Sequence, residues 1–104
     1  MDDSRAAEDN AGRAALDRLV AIAQTDTGQS RCVTNFLLAW WNARGCGGFD
    51  LTELWTVEPP IRDDMLAVLQ LIAHHRELPT AYGHGDAFAA LVKRCRPGVE
   101  QAER

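Results

Sequence analysis

The run Gln29-Ser30-Arg31-Cys32-Val33-Thr34-Asn35-Phe36-Leu37-Leu38-Ala39-Trp40-Trp41-Asn42-Ala43 settles the fold class. Val33, Phe36, Leu37, Trp40 and Trp41 recur at intervals of three and four, which gathers them on one broad stripe of an α-helix. Before the run, Thr25-Asp26-Thr27-Gly28 holds residues that favour caps and turns, so Asp26 or Thr27 is expected to cap this helix. After it, Gly45 stands where a helix would stop in the left-handed conformation that glycine adopts most easily.

The same period extends outward on both sides. Over residues 13–24, Leu16, Leu19, Val20 and Ala23 share a face. Downstream, Gly45-Cys46-Gly47-Gly48 reads as a loop. Asp50-Leu51-Thr52-Glu53 has the capping-box form and predicts a short helical turn with Leu51, Leu54 and Trp55 pointing inward. Pro59-Pro60 suits the first turn of a third helix that runs to about residue 76, its stripe formed by Ile61, Met65, Val68, Leu69 and Ile72 with His75 nearby. Pro79 stops it. After Gly83-His84-Gly85, Asp86 is expected to cap a fourth helix in which Phe88, Leu91, Val92 and Cys95 share a face. No segment alternates as a strand would. The expected fold is all-α: a compact four-helix bundle or orthogonal array with one extra short helical turn. Its single domain spans residues 11–97, between flexible polar tails at 1–10 and 98–104.

Composition narrows the functional classes. The 104 residues are enough for one core, and the longest apolar stretches fall short of the about 20 residues that a membrane span needs. The opening Met-Asp-Asp-Ser-Arg lacks the basic and apolar regions of a secretory signal, and three widely spaced cysteines do not form an even disulfide framework. A soluble, cytoplasmic protein is expected, with no membrane contact. The net charge of −4 argues against nucleic acid, because such binding rests on clustered Lys and Arg. The one basic cluster, Lys93-Arg94-Cys95-Arg96, ends a helix, where cations complement the helix dipole.

Four motifs bear on possible chemistry. Asp26-Thr27-Gly28 matches the catalytic tripeptide of retroviral-type aspartic proteases, but those enzymes place it after a strand, and here helical pattern lies on both sides. Cys46 offers a nucleophile with His74, His75 or His84 as base, yet Asp50 and Glu53 nearby would raise a thiol's pKa. Cys46, His74, His75, His84 and Asp86 lack the paired spacing of a zinc site, since adjacent His74 and His75 stand about 100° apart on a helix. Gly83-His84-Gly85-Asp86 lacks the strand that precedes a nucleotide loop, and Asp86 would repel an anion. The expectation is therefore no catalytic residue, no metal and no cofactor. A helix cannot easily bury both members of Trp40-Trp41, so one of them is expected at the surface. Trp41, Arg44, Phe49 and Asp50 are the candidate partner-binding residues, for an unidentified protein or for self-association.

Leu16-Asp17-Arg18-Leu19, Asp26-Thr27-Gly28-Gln29-Ser30, Phe36-Leu37-Leu38-Ala39-Trp40-Trp41-Asn42, Cys46-Gly47-Gly48-Phe49-Asp50-Leu51, Gly83-His84-Gly85-Asp86 and Leu91-Val92 carry a wider likeness. With them, residues 15–97 resemble an uncharacterised domain family associated with integrative and conjugative elements of proteobacteria. The resemblance implies an accessory protein of mobile DNA and transfers no activity. The leading expectation is a non-enzymatic protein-interaction module. The alternatives are a host-defence antagonist that binds a basic protein surface, a cysteine-dependent enzyme using Cys46 with a histidine, and a weak DNA-binding factor acting through the basic end of the fourth helix.

Overall fold

The computed structural model describes residues 3–99. In chain order it contains helix α1 (Asp3–Ala23), helix α2 (Gly28–Cys46), a 3-10 turn η1 (Leu51–Trp55), helix α3 (Pro59–His74), a second 3-10 turn η2 (Pro79–Tyr82) and helix α4 (Gly85–Cys95). Helix α1 packs closely on α3 and on α2, and α2 packs on α4. Among the described residues there is no strand, and the fold is all-α. The second 3-10 turn adds to the one that the capping box predicts. No helix of the described residues is long and apolar enough to cross a membrane.

The stripes of α1, α2 and α4 face one shared core. Leu16, Leu19, Val20, Ala23, Val33, Phe36, Leu37, Phe88, Leu91 and Val92 are all buried in it. Removing this apolar surface from water is the main force that holds the helices together. Helix α3 buries Met65 and Val68 of its expected stripe and packs Ile61 and Ile72 against the core, but Leu71 takes the inward place expected of Leu69, which is 40% exposed. The residues from Met65 to Ala73 are apolar at every position but Gln70, so periodicity alone cannot choose the face.

Helices α1 and α3 approach each other closely at Gly12. A Cβ there would meet the Leu71 Cβ at 3.0 Å and the Ala67 carbonyl oxygen at 3.1 Å. This approach lies at the start of the region that periodicity marks as helical, yet α1 begins at Asp3. Residues 3–10, expected as part of a tail, are helical. Alanines 6, 7 and 11 favour helix intrinsically, and Asp9 ties this end to α3 through His75, 2.9 Å away. Residues 1–2 and 100–104 lie outside the described residues, and Val99 packs against the core.

Two helix ends differ from expectation. Thr27 caps α2 as predicted: its hydroxyl accepts from the Ser30 N–H at 3.1 Å, and the Ser30 hydroxyl accepts from the Thr27 N–H at 2.9 Å. At the other end, α2 kinks at Asn42, whose φ of −166° and ψ of 82° leave the helix. The Asn42 side chain accepts from the Gly45 N–H at 3.1 Å, so a short last turn continues to Cys46. The positive φ falls on Gly47, at 99°, rather than on Gly45. Helix α4 starts one residue before Asp86, with His84 as its cap position. Asp86 therefore lies in the first turn, where its charge suits the dipole without capping.

Candidate functional site

Helices α2 and α3 are not a closely packed pair, and the space between them is a groove of about 310 Å³. Phe36, Ala39 and Trp40 line it from α2, Leu69 and Ile72 from α3, and Phe49, Leu51 and Leu54 from the segment between. Every lining side chain is apolar apart from the indole N–H of Trp40. That N–H donates to the Glu77 carbonyl at 3.2 Å, which fixes the ring at the groove's edge. Phe49 meets Phe36 edge to face, with centroids 5.4 Å apart. This arrangement favours aromatic pairs through the quadrupole of the rings.

The turn η1 is held by a few polar contacts. The Asp50 carboxylate accepts from the Thr52 N–H at 3.0 Å and from its hydroxyl at 2.8 Å. Those bonds to Thr52 hold the Asp50 pKa below its ordinary value. From α2, the Cys32 thiol lies 3.6 Å from the Glu53 carbonyl as a weak donor. Burial first, and then that contact, push the thiol up to about 11. The Gln29 amide spans the next connection, donating to the Thr56 carbonyl at 3.4 Å and accepting from the Glu58 N–H at 3.0 Å. So fixed, η1 keeps large apolar side chains in water: Leu51 is 70% and Trp55 84% exposed. A 3-10 turn repeats every three residues, so Leu51 and Leu54 share one face and Trp55 stands about 120° from it. That period accounts for the failure of the inward placement expected for Trp55, while Leu51, also expected inward, lines the groove from its exposed side.

The four candidate partner residues divide. Trp41 is only 3% exposed and lies against Phe88 at a centroid distance of 5.3 Å, so the expected surface anchor is a core residue. The α2 stripe is wide enough to bury it because α4 covers that side, while Trp40, tilted against Tyr82 and edge-on to Phe88, remains half-buried. Arg44 is exposed in the last turn of α2 and is not part of the groove lining. Phe49 lines the groove, and Asp50 caps the turn beside it. Sequence reading missed Leu69 and Trp55 as surface residues.

The reactive side chains are not brought together. Cys46 is buried, and burial pushes its thiol up against the opposing influence of Arg96. The histidines instead pair with carboxylates of α1. His75 reaches Asp9 at 2.9 Å, with His74 3.8 Å from the same carboxylate, and His84 reaches Asp17 at 2.8 Å. His74 and His75 converge, against the helical expectation, because His75 has already left α3 for extended backbone. Among the described residues no group of three or more His, Cys, Asp or Glu is disposed to hold a metal ion. Asp26-Thr27-Gly28 is the joint between α1 and α2.

A family model described as "Family of unknown function (DUF7673)" matches residues 13–96. The chain belongs to that family. The matched span takes in every residue that lines the groove, together with η1 and its anchors. No curated protein and no solved structure matches the chain.

Proposed function

We propose that this domain is a protein-interaction module whose α2–α3 groove receives an amphipathic helix bearing basic residues from a partner protein. The observation that carries the reading is the groove itself: an apolar seam open to solvent, beside a turn that holds Leu51 and Trp55 in water. Exposed apolar surface of this kind is disfavoured in a lone domain and is typical of a docking site. A groove of 300 Å³ or more admits roughly two or three large apolar side chains, which is the anchoring mode of a helix in a groove.

The charge of the partner follows from the flank. Between Arg44 and Arg62 the chain carries Asp50, Glu53 and Glu58 and no Lys or Arg. A helix with Lys or Arg beside its apolar stripe would gain attraction there and faster encounter, and an acidic helix would be repelled. Such a basic partner suits an antagonist of a nucleic-acid-binding protein, and an accessory protein of a mobile element has use for that role. The reading assigns binding rather than catalysis to this surface.

The test is affinity purification of the tagged chain from its native host, in parallel with Leu69→Asp. Leu69 lies on the groove wall and is already partly exposed, so the variant should fold. One stoichiometric partner is expected, lost in Leu69→Asp and released by moderate salt. A partner that Leu69→Asp retains, self-association through this face, or recovery of nothing from either form would each defeat the proposal.

A further inference from the structure

A second concavity, of about 570 Å³, lies where the end of α4 meets the first turns of α2, and it shares no residue with the apolar groove. Three guanidinium groups, Arg31, Arg94 and Arg96, line it with a single carboxylate, Asp26. In a chain with a net charge of −4, this excess of cations is a local feature. None of the three is paired with a carboxylate among the described residues. Arg94 donates to the Ala23 carbonyl at 2.6 Å and to the Gln24 carbonyl at 3.3 Å. Arg96 donates to the carbonyls of Cys46 and Cys95 and to the Asn35 side-chain oxygen at 2.6 Å. These acceptors are neutral. They fix the two guanidiniums in place and leave the positive charge uncompensated, so the cleft is a preformed positive field.

Donors remain unused beside that field. Arg31 has no hydrogen-bond or ion-pair partner among the described residues. Asn35 gives its oxygen to Arg96, which turns its NH₂ group over to other acceptors. Thr34 is only 4% exposed and lines the cleft, and its hydroxyl makes no hydrogen bond among the described residues. That hydroxyl is not sealed from solvent, so it can exchange water in the cleft for a ligand acceptor.

We infer that this cleft binds a phosphate group, with Arg31, Thr34 and Asn35 as direct donors and Arg94 and Arg96 as fixed charges behind them. A phosphate has enough acceptor oxygens to use an arginine fork, a hydroxyl and an amide at once. Cys95 lines the same cleft and is half-buried, which makes its thiol a reporter of occupancy.

The experiment titrates the full chain with inorganic pyrophosphate at low salt by calorimetry, and follows the rate of Cys95 alkylation in parallel. A nucleoside triphosphate and a 5′-phosphorylated single-stranded oligonucleotide form two further arms. Pyrophosphate is expected to bind and to slow alkylation. Arg31→Gln and Thr34→Val should each weaken it roughly tenfold, the loss of one charge-assisted donor. Thr34→Val should leave the thermal midpoint unchanged or raised, because the hydroxyl has no partner to lose; a merely structural role would not give that split. Tighter binding of the triphosphate assigns the phosphate to a small molecule, and tighter binding of the oligonucleotide assigns it to a nucleic-acid end. No heat and no thiol protection from any of the three at millimolar concentration overturns the inference, as does an affinity that neither variant lowers.

Discussion

Replacing tryptophan at positions 41 and 55 separates the core from the candidate surface. Trp41 is buried against Phe88, so Trp41→Ala deletes a full ring system from a closed site and should cost about 3–5 kcal/mol. In urea, with an m-value of about 1–3 kcal/mol/M, that lowers the midpoint by roughly 2 M. The Trp41 indole N–H is itself sealed from solvent with no acceptor among the described residues. Trp41→Phe therefore removes an unpaired donor worth about 1–3 kcal/mol, and this offsets most of the loss of the smaller ring's packing. The net change should stay within about 1 kcal/mol of wild type by the same reckoning. Trp55 has 84% of its surface in water, and Trp55→Ala should move stability by no more than about 0.5 kcal/mol. Urea titration followed by far-ultraviolet circular dichroism reads all three without depending on tryptophan emission. A Trp41→Phe protein as unstable as Trp41→Ala, or a Trp55→Ala protein destabilised by more than about 1 kcal/mol, would refute this assignment of core and surface.

Three further outcomes follow from particular contacts. Gly12→Leu should destabilise the fold by about 1–3 kcal/mol in the same titration, because its side chain has no space against Leu71 and Ala67; the gain in helix propensity, about 1 kcal/mol, is too small to compensate. Thiol titration of the native chain at pH 8 should find one reactive cysteine, Cys95, with Cys32 and Cys46 reacting only after unfolding, since burial seals both and raises their pKa values. The hydrogen bond from His75, ahead of the charges of both histidines, holds the Asp9 carboxyl below its ordinary value of 3.8. A carboxyl lowered in the fold adds stability that is whole above 3.8 and drains away as pH falls through the native value. Asp9→Asn should accordingly flatten the acid limb of the stability profile, and an unchanged limb would count against the Asp9–His75 tie.

The faces of α1, α2 and α4 could be read from the sequence because each has a polar side to contrast with its apolar one. Leu16, Leu19 and Val20 stand opposite Asp17 and Arg18, and Phe88, Leu91 and Val92 opposite Lys93 and Arg94. Thr27 and Asp50 were legible as caps because their chemistry is local. Helix α3 gave no such contrast, and its inward face is set by Gly12 and its neighbours on α1, more than 50 residues away in sequence. The choice between Trp40 and Trp41 was likewise tertiary: α4 covers one and leaves the other at the seam. The first turns of α1 have no apolar stripe and take their anchorage from His75 and Leu71, so periodicity started the helix too late. The basic cleft joins α2 to α4 across some 60 residues. Its character depends on which acceptors the arginines find, and residue types do not disclose that.

An open seam between α2 and α3 admits two explanations, a docking site or a place where a small domain packs imperfectly, and one substitution tells them apart. Ala39 lines the groove and is half-buried, so Ala39→Leu adds apolar volume where there is room for it. In either case the free chain should become more stable, by up to about 1 kcal/mol, as a partly filled void closes. The two explanations differ in the second measurement. If the seam is a packing flaw, partner recovery is untouched, because the surface in use lies elsewhere. If it is the seat of a partner helix, the variant gains stability and loses the partner together, the trade expected where a surface is left unfilled for function. Leu69→Asp supplies the complement, losing the partner without the gain. Recovery of the partner by Ala39→Leu would remove the groove from consideration, whatever the phosphate cleft is found to hold.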